Sequence, residues 1–224
     1  MITIPRSVIP RLSVYFRVLL SYEESAVISS ERLSALTGHT AAQIRRDLAY
    51  FGQFGTRGKG YSVSGLKKEI PGILGIDRPL RVAIVGAGNL GMALLSYRGF
   101  REQGFSIVAA FDNDQRKIGG RFRDVVIQDI AELAAAVRTK KIEMAVVAVP
   151  AAAAATAITA LIRARVGAIL NFAPVRLQVP STVELINIDL SIELEKLAHF
   201  LRRTDRHREP IAGSSGGPHA KRKR

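Results

Sequence analysis

The sequence predicts an α/β protein of two domains, an N-terminal winged helix-turn-helix domain ahead of a Rossmann-like parallel-sheet domain. Three observations carry this. Residues 80–175 alternate short apolar runs with helical patterns. A G-x-G-x-x-G pattern sits where the first of those runs turns into a helix. Residues 29–52 hold two cappable helix patterns separated by a glycine. The expected boundaries are 1–77 for the first domain, 78–186 for the second, 187–204 for a terminal helix and 205–224 for a tail.

The N-terminal domain comes first in the chain. A helix from about Arg11 to Leu20 (RLSVYFRVLL) packs behind the pair that follows. Ser29 or Ser30 can cap a helix through Leu33 and Leu36, and Gly38 suits its C-terminus. Thr40 with Gln43 three residues on has the form of a capping box. The second helix puts Ile44, Leu48 and Phe51 on one face. Its other face shows Gln43, Arg45, Arg46 and Tyr50. Two helices joined by a tight turn make a helix-turn-helix, whose second helix enters the major groove. Arg45 or Arg46 can reach a phosphate or a guanine edge, and Gln43 can read adenine.

In QFGTRGKGYSV (53–63), Gly55, Gly58 and Gly60 allow a tight loop between two short strands, with Gln53–Gly55 the weaker one. Arg57, Gly58 and Lys59 form the tip. A basic loop beside a recognition helix reads as a wing that reaches a phosphate or the minor groove. A small helical domain with ordinary solvated arginines is the alternative; a capped helix pair, a basic outer face and a basic glycine loop coinciding in this order favour DNA binding.

The second domain opens on VAIVGAGNLGMAL. Gly86, Ala87, Gly88, Asn89, Leu90 and Gly91 follow the apolar strand Val82–Val85 and open a helix from Leu90 to Leu95. In that setting Gly86 makes the turn, Gly88 lets backbone approach a pyrophosphate, and Gly91 lets helix and strand pack closely. The helix N-terminus offers N–H groups to the phosphates. Asp112 ends the next strand, SIVAAFD, 21 residues after Gly91. Its carboxylate can accept ribose hydroxyls and repel a 2′-phosphate, which favours NAD(H), though Arg116 stands nearby. Asp112 also fits as a turn cap in FDND. Val149 and Pro150 follow a further strand. Asn171, Phe172, Ala173 and Pro174 close the strand Ala168–Leu170. Both strand ends are candidates for lining the nicotinamide side, because ligands lie beyond the carboxyl ends of parallel strands.

Residues 187–204 read as one amphipathic helix, with Leu190, Leu194, Leu197 and Leu201 in a stripe. Such a face needs a partner surface, and the helix's own domain is the simplest one. The last segment, rich in Gly, Ser and Pro and ending KRKR, reads as a disordered tail.

Composition bounds the function. The formal charge is +14, with ten basic against five acidic residues in 1–75 and six against two in 205–224. A basic surface attracts polyanions, nucleic acid above all. There is no cysteine, which excludes disulfides, thiolate catalysis and cysteine metal sites. No apolar run has the length of a membrane span and the N-terminus lacks a signal-peptide layout, so a cytoplasmic protein is expected.

Three functional classes meet these residues: an NAD-dependent oxidoreductase, a nucleotide- or CoA-binding accessory subunit, and a ligand-sensing DNA-binding protein. An oxidoreductase needs an acid or base at the substrate. His39, His199, His207 and His219 all lie away from the strand ends, and Lys140 and Lys141 precede a strand. Tyr97 is the one candidate acid, and it reads better as a packing or switch residue. About 30 residues follow Pro174 before the tail, too few for a substrate domain. The residues therefore favour a sensor that binds the cofactor without turning it over, with no catalytic residue and no metal.

The runs IPRLSVYFRVL, SSERLSALTG, QIRRDLAYFGQFGTRGKGY, GAGNLG, SYRGF, FDND, NFAP and NIDL resemble the bacterial redox-sensing transcriptional repressor family Rex, over roughly residues 3–202. The resemblance implies a homodimer that binds palindromic operator DNA when NADH is scarce and releases it on binding NADH, with NAD⁺ competing. It implies a C-terminal helix swapped between subunits. It also points to a switch in which Asp189 pairs with Arg17 in one state and accepts a hydrogen bond from Tyr97 in the other.

Overall fold

The computed structural model describes residues 5–50, 52, 55, 56 and 59–206. The first domain runs α1 (Val8–Leu20), β1 (Val27–Ile28), α2 (Ser30–Thr37), α3 (Ala41–Ala49), β2 (Gly55–Thr56), β3 (Gly60–Ser62) and α4 (Val63–Leu74). Helix α1 begins three residues before Arg11, because Pro10 falls in the first turn, where a missing N–H leaves no bond unmade. Helix α2 starts where the Ser29 side chain accepts the Arg32 N–H and stops at Gly38, whose φ of 72° is the left-handed conformation a glycine adopts freely. Thr40 caps α3 by accepting the Gln43 N–H.

Helix α4 is an element that the sequence pattern does not announce. Gly65, Pro71 and Gly72 argue against a helix by propensity. Ser62 caps it, and burial of Val63, Leu66 and Ile70 against α1 decides the outcome. These three join Leu12, Tyr15, Leu19, Leu33, Ile44 and Leu48 in one core beneath α3. Strand β3 pairs antiparallel with β1 and β2, forming the wing sheet. Phe51, Gln53, Phe54, Arg57 and Gly58 lie outside the described residues, so of the expected wing tip only Lys59 is described, in a turn and exposed.

The second domain runs β4 (Leu80–Val85), α5 (Asn89–Ser96), α6 (Gly99–Glu102), β5 (Phe105–Asp112), β6 (Arg121–Phe122), β7 (Val125–Asp129), α7 (Leu133–Thr139), β8 (Met144–Val147), α8 (Ala151–Arg163), β9 (Ala168–Asn171) and β10 (Glu184–Asn187). The sheet order is β10-β9-β8-β4-β5-β7-β6. All neighbours are parallel except β6 and β7. Alternate residues of β4 serve two cores. Ala83 and Val85 pack with α7 and α8, while Val82 and Ile84 face Leu95 of α5. The chain order reverses at β4, which lies between β5 and β8, so the crevice beyond its carboxyl end is the place for a ligand.

The C-terminal boundary also differs from the expectation. Residues 184–187 are strand β10, paired in parallel with β9, rather than the approach to a helix. The last helix, α9, spans Leu190–Arg206, so Asp205 and Arg206 belong to it and not to a tail. Residues 207–224 lie outside the described residues. Its own domain is not the partner of the leucine stripe. Leu190, Leu194, Leu197 and Leu201 are each more than 60% exposed, as is Phe200.

Candidate functional site

The glycine turn connects β4 to α5. Gly86 has φ of 101°, and a Cβ there would collide with the Ala148 carbonyl on the neighbouring segment. A Cβ on Gly91 would collide with the Gly86 carbonyl oxygen, so this glycine lets α5 lie close on the strand. Gly88 is different: nothing lies within 4 Å of the Cβ it lacks. The protein itself does not need a glycine there, whereas a ligand's phosphates lying on the turn would. Gly88 is also the N-cap of α5, and the first N–H groups of that helix have no intrahelical acceptor. These features fit a pyrophosphate.

A cavity of about 490 Å³ opens beside the turn, within the usual range for ligand sites. Gly86, Gly88, Asp112, Val149 and Pro150 line it, together with Lys117 and Thr156. Asp112 is buried, and both its oxygens are bonded within the protein. Its Oδ2 accepts the Ala87 N–H at 2.8 Å and the Lys117 ammonium at 3.0 Å, and its Oδ1 accepts the Asp114 N–H at 2.9 Å. Burial works to raise its pKa, but these donors outweigh that and hold the carboxyl below its ordinary value. Lys117 was missed in the sequence; a lysine five residues past the strand-end aspartate was the available signal. Arg116 does not line the cavity. Asp114 grips its guanidinium with both oxygens at 3.0 and 2.8 Å, which lowers the Asp114 pKa to about 2.

The second strand end is built differently. Asn171 is fully buried. Its Nδ2 donates to the Ala173 carbonyl and to Asn187 Oδ1, and its Oδ1 accepts the Ala173 N–H. Its side chain thus locks the loop to β10. Phe172 is half-buried against the α5 side of the sheet, and Pro174 is exposed. Neither they nor Ala87, Asn89, Leu90, Gly91 and Asn171 line the cavity.

On α3, Arg46 is exposed with no hydrogen bond among the described residues. Arg45 is exposed too, and donates to Ser30 Oγ at 2.8 Å and Glu31 at 3.0 Å. A surface pair of this kind is worth under about 1 kcal/mol and yields readily to a phosphate. Tyr50 is half-buried against the domain core. Gln43 does not complete the capping box with its side chain. Its Nε2 instead donates to Asp47, a fully buried carboxylate that nothing in the sequence pattern singles out.

The three switch candidates each have a different partner in the single chain. Arg17 reaches from α1 to the second domain and donates to Gln103 Oε1 at 3.2 Å. Asp189 accepts the Ser191 N–H and so caps α9. Tyr97 is 56% exposed, with its ring edge-on to Phe100 at 5.0 Å.

Two family models match the chain: a putative DNA-binding protein N-terminus over residues 3–49 and a CoA binding domain over residues 77–175. A redox-sensing transcriptional repressor Rex from Carboxydothermus hydrogenoformans is 46% identical, over 89% of this chain and 97% of that protein. The Rex of Chloroflexus aggregans is 44% identical, over 91% and 97%. Among solved structures, RSP, a Rex-family repressor, in complex with β-NAD⁺ and operator DNA is 35% identical with a TM-score of 0.85, over 95% of this chain and 99% of that one. RSP with β-NADH is 36% identical with a TM-score of 0.80, over 91% and 96%.

Proposed function

This chain belongs to the Rex family of redox-sensing transcriptional repressors, and on that premise we propose how its two sites work together. It is a repressor that binds palindromic operator DNA as a homodimer when the NADH/NAD⁺ ratio is low and lets go when NADH occupies the glycine turn. It acts on DNA in the cytoplasm. Among the described residues no helix is long and apolar enough to cross a membrane. It is not an enzyme, in keeping with relatives named as repressors.

One observation carries this reading. A glycine turn left open at Gly88 and a recognition helix with Arg46 exposed stand in one chain, joined through α1 by the Arg17–Gln103 hydrogen bond. The turn holds the pyrophosphate with Gly86, Ala87, Gly88, Asn89, Leu90 and Gly91, while Asp112 and Lys117 face the ribose end. Val149 and Pro150 line the far side, with Asn171, Phe172 and Pro174 shaping the strand end behind them. Gln43, Arg45, Arg46 and Tyr50 address the major groove, and Arg57, Gly58 and Lys59 the backbone beside it. Bound NADH is read here, not oxidised.

The exposed stripe of α9 is the surface a second copy covers. A helix exchanged in this way brings Asp189 from the other subunit towards Arg17 or Tyr97, and its choice between them forms part of the switch. A gel shift on a palindromic operator, titrated separately with NADH and NAD⁺, tests the proposal. Release by NADH at much lower concentration than NAD⁺ is expected; equal release, or no binding to the operator, overturns it. A CoA-binding accessory role, which the second family model's description invites, requires CoA to bind where NADH does not.

A further inference from the structure

Among the described residues, the DNA-binding domain fully buries one carboxylate. Asp47 on α3 has no exposed surface, and all four of its lone-pair positions are taken. Arg11 donates from Nε at 2.6 Å and from Nη2 at 2.7 Å, Tyr15 from its hydroxyl at 2.9 Å, and Gln43 from Nε2 at 2.8 Å. Burial opposes the charge, yet the donors outweigh it and the pKa lies below the ordinary carboxyl value. Asp47 therefore stays ionised and can only accept.

That fixes the amide of Gln43. A side-chain amide can ordinarily turn over, exchanging its oxygen and nitrogen. Facing an accept-only carboxylate, it must present nitrogen. One N–H is then spent on Asp47, which leaves Oε1 and a single N–H for anything outside. Adenine offers one donor and one acceptor in the major groove, N6–H and N7, and this edge matches it. Guanine offers two acceptors, N7 and O6, and would need both N–H groups.

We propose that Asp47 is a positioning residue for base reading, holding Gln43 so that it selects an adenine over a guanine in each operator half-site. This rests on α3 being the recognition helix. Arg11 and Tyr15 bring the same carboxylate under the control of α1, the helix that touches the second domain through Arg17.

The experiment measures binding of the full-length protein to operators carrying each base substitution in turn, beside a random duplex. Gln43→Ala should lose a preference of roughly tenfold for adenine at one position per half-site, read as the ratio of binding to the operator over binding to the base-substituted operator. Asp47→Asn, which can donate as well as accept, should let the amide turn over and admit guanine at that same position, with NADH binding intact. Tyr15→Phe removes a donor without freeing Gln43 and should keep the preference. Unchanged selectivity at every position in Gln43→Ala overturns the proposal, and so does an adenine preference kept by a folded Asp47→Asn. If Asp47→Asn does not fold, the Gln43→Ala profile decides. Wild-type protein that binds no operator at all would instead sink the assignment of α3 itself.

Discussion

Ala87 donates its backbone N–H to Asp112 Oδ2 over 2.8 Å, so the glycine turn is tied to the end of the neighbouring strand. The aspartate proposed to meet ribose is thus also the support of the turn proposed to meet phosphate. Asp112→Ala would leave the Ala87 N–H buried without its acceptor and Lys117 without its counter-ion, at a cost of about 1–3 kcal/mol. The expected result is a lower Tm and weaker NADH binding together. Loss of NADH binding with unchanged Tm would show that the support is dispensable.

The three glycines separate by what a side chain would hit. At Gly86 and Gly91 a Cβ runs into backbone carbonyls, which cannot move aside, whereas at Gly88 it meets nothing. Gly91→Ala should therefore destabilise the domain by about 1–3 kcal/mol or more. Gly88→Val should fold normally, keep operator binding and lose release by NADH. Denaturation midpoints and gel shifts on both variants check this; a Gly88→Val protein still released by NADH would remove the turn from the site.

Acid sensitivity follows in part from the two buried carboxyls. Asp47 and Asp112 both have lowered pKa values in the folded chain. Each contributes stability that is fully present above an unfolded-state pKa of about 4 and is lost as pH falls through the lowered folded value. Stability should hold from pH 7 to about 4 and then fall. In Asp47→Asn the starting stability should be lower and the fall below pH 4 shallower, measured by urea unfolding at each pH. Equal acid slopes would mean Asp47 contributes no such linkage.

How much of this could be read from the sequence depends on which forces wrote it. Ser29, Gly38, Thr40 and the Gly86–Gly91 run act locally, through caps and turns, and their residue types announce them. Helix α4 was hidden because Pro71 and Gly72 argue against it locally, while the packing that decides it lies across the domain on α1. Strand β10 was hidden because its own residues, ELIN, show no long apolar run, and only pairing with β9 along the sheet edge makes them a strand. Asp47 carries no sequence signal of its own, because Arg11 and Tyr15, which pair with it, lie more than 30 residues earlier. Asn171 reads from the sequence as a candidate for the nicotinamide side, and its side chain is taken up by bonds to Ala173 and Asn187 that the sequence does not announce.

The stripe on α9 sets a prediction for assembly. Leu194 and Leu197 are exposed in the single chain, at 66% and 61%, with Phe200 beside them. A patch of this kind on a soluble protein marks an interaction surface. Leu194→Glu with Leu197→Glu should yield a monomer in sedimentation, with each domain folded. It should also lose tight binding to the palindrome, because two recognition helices no longer address two half-sites at once. A dimer that survives both changes would place the interface elsewhere.

Asp189→Ala removes the group proposed to choose between Arg17 and Tyr97. An exposed pair contributes under about 1 kcal/mol, and allosteric coupling is typically about 1–3 kcal/mol. The NADH concentration for operator release should therefore shift a few-fold, not vanish. The substitution also removes the cap on Ser191, so helix content and dimerisation must be measured alongside. Asp189→Asn keeps an acceptor for the cap and loses the charge, which separates the two roles. If Asp189→Asn releases operator at the same NADH concentration as the wild type, the charge takes no part in the switch.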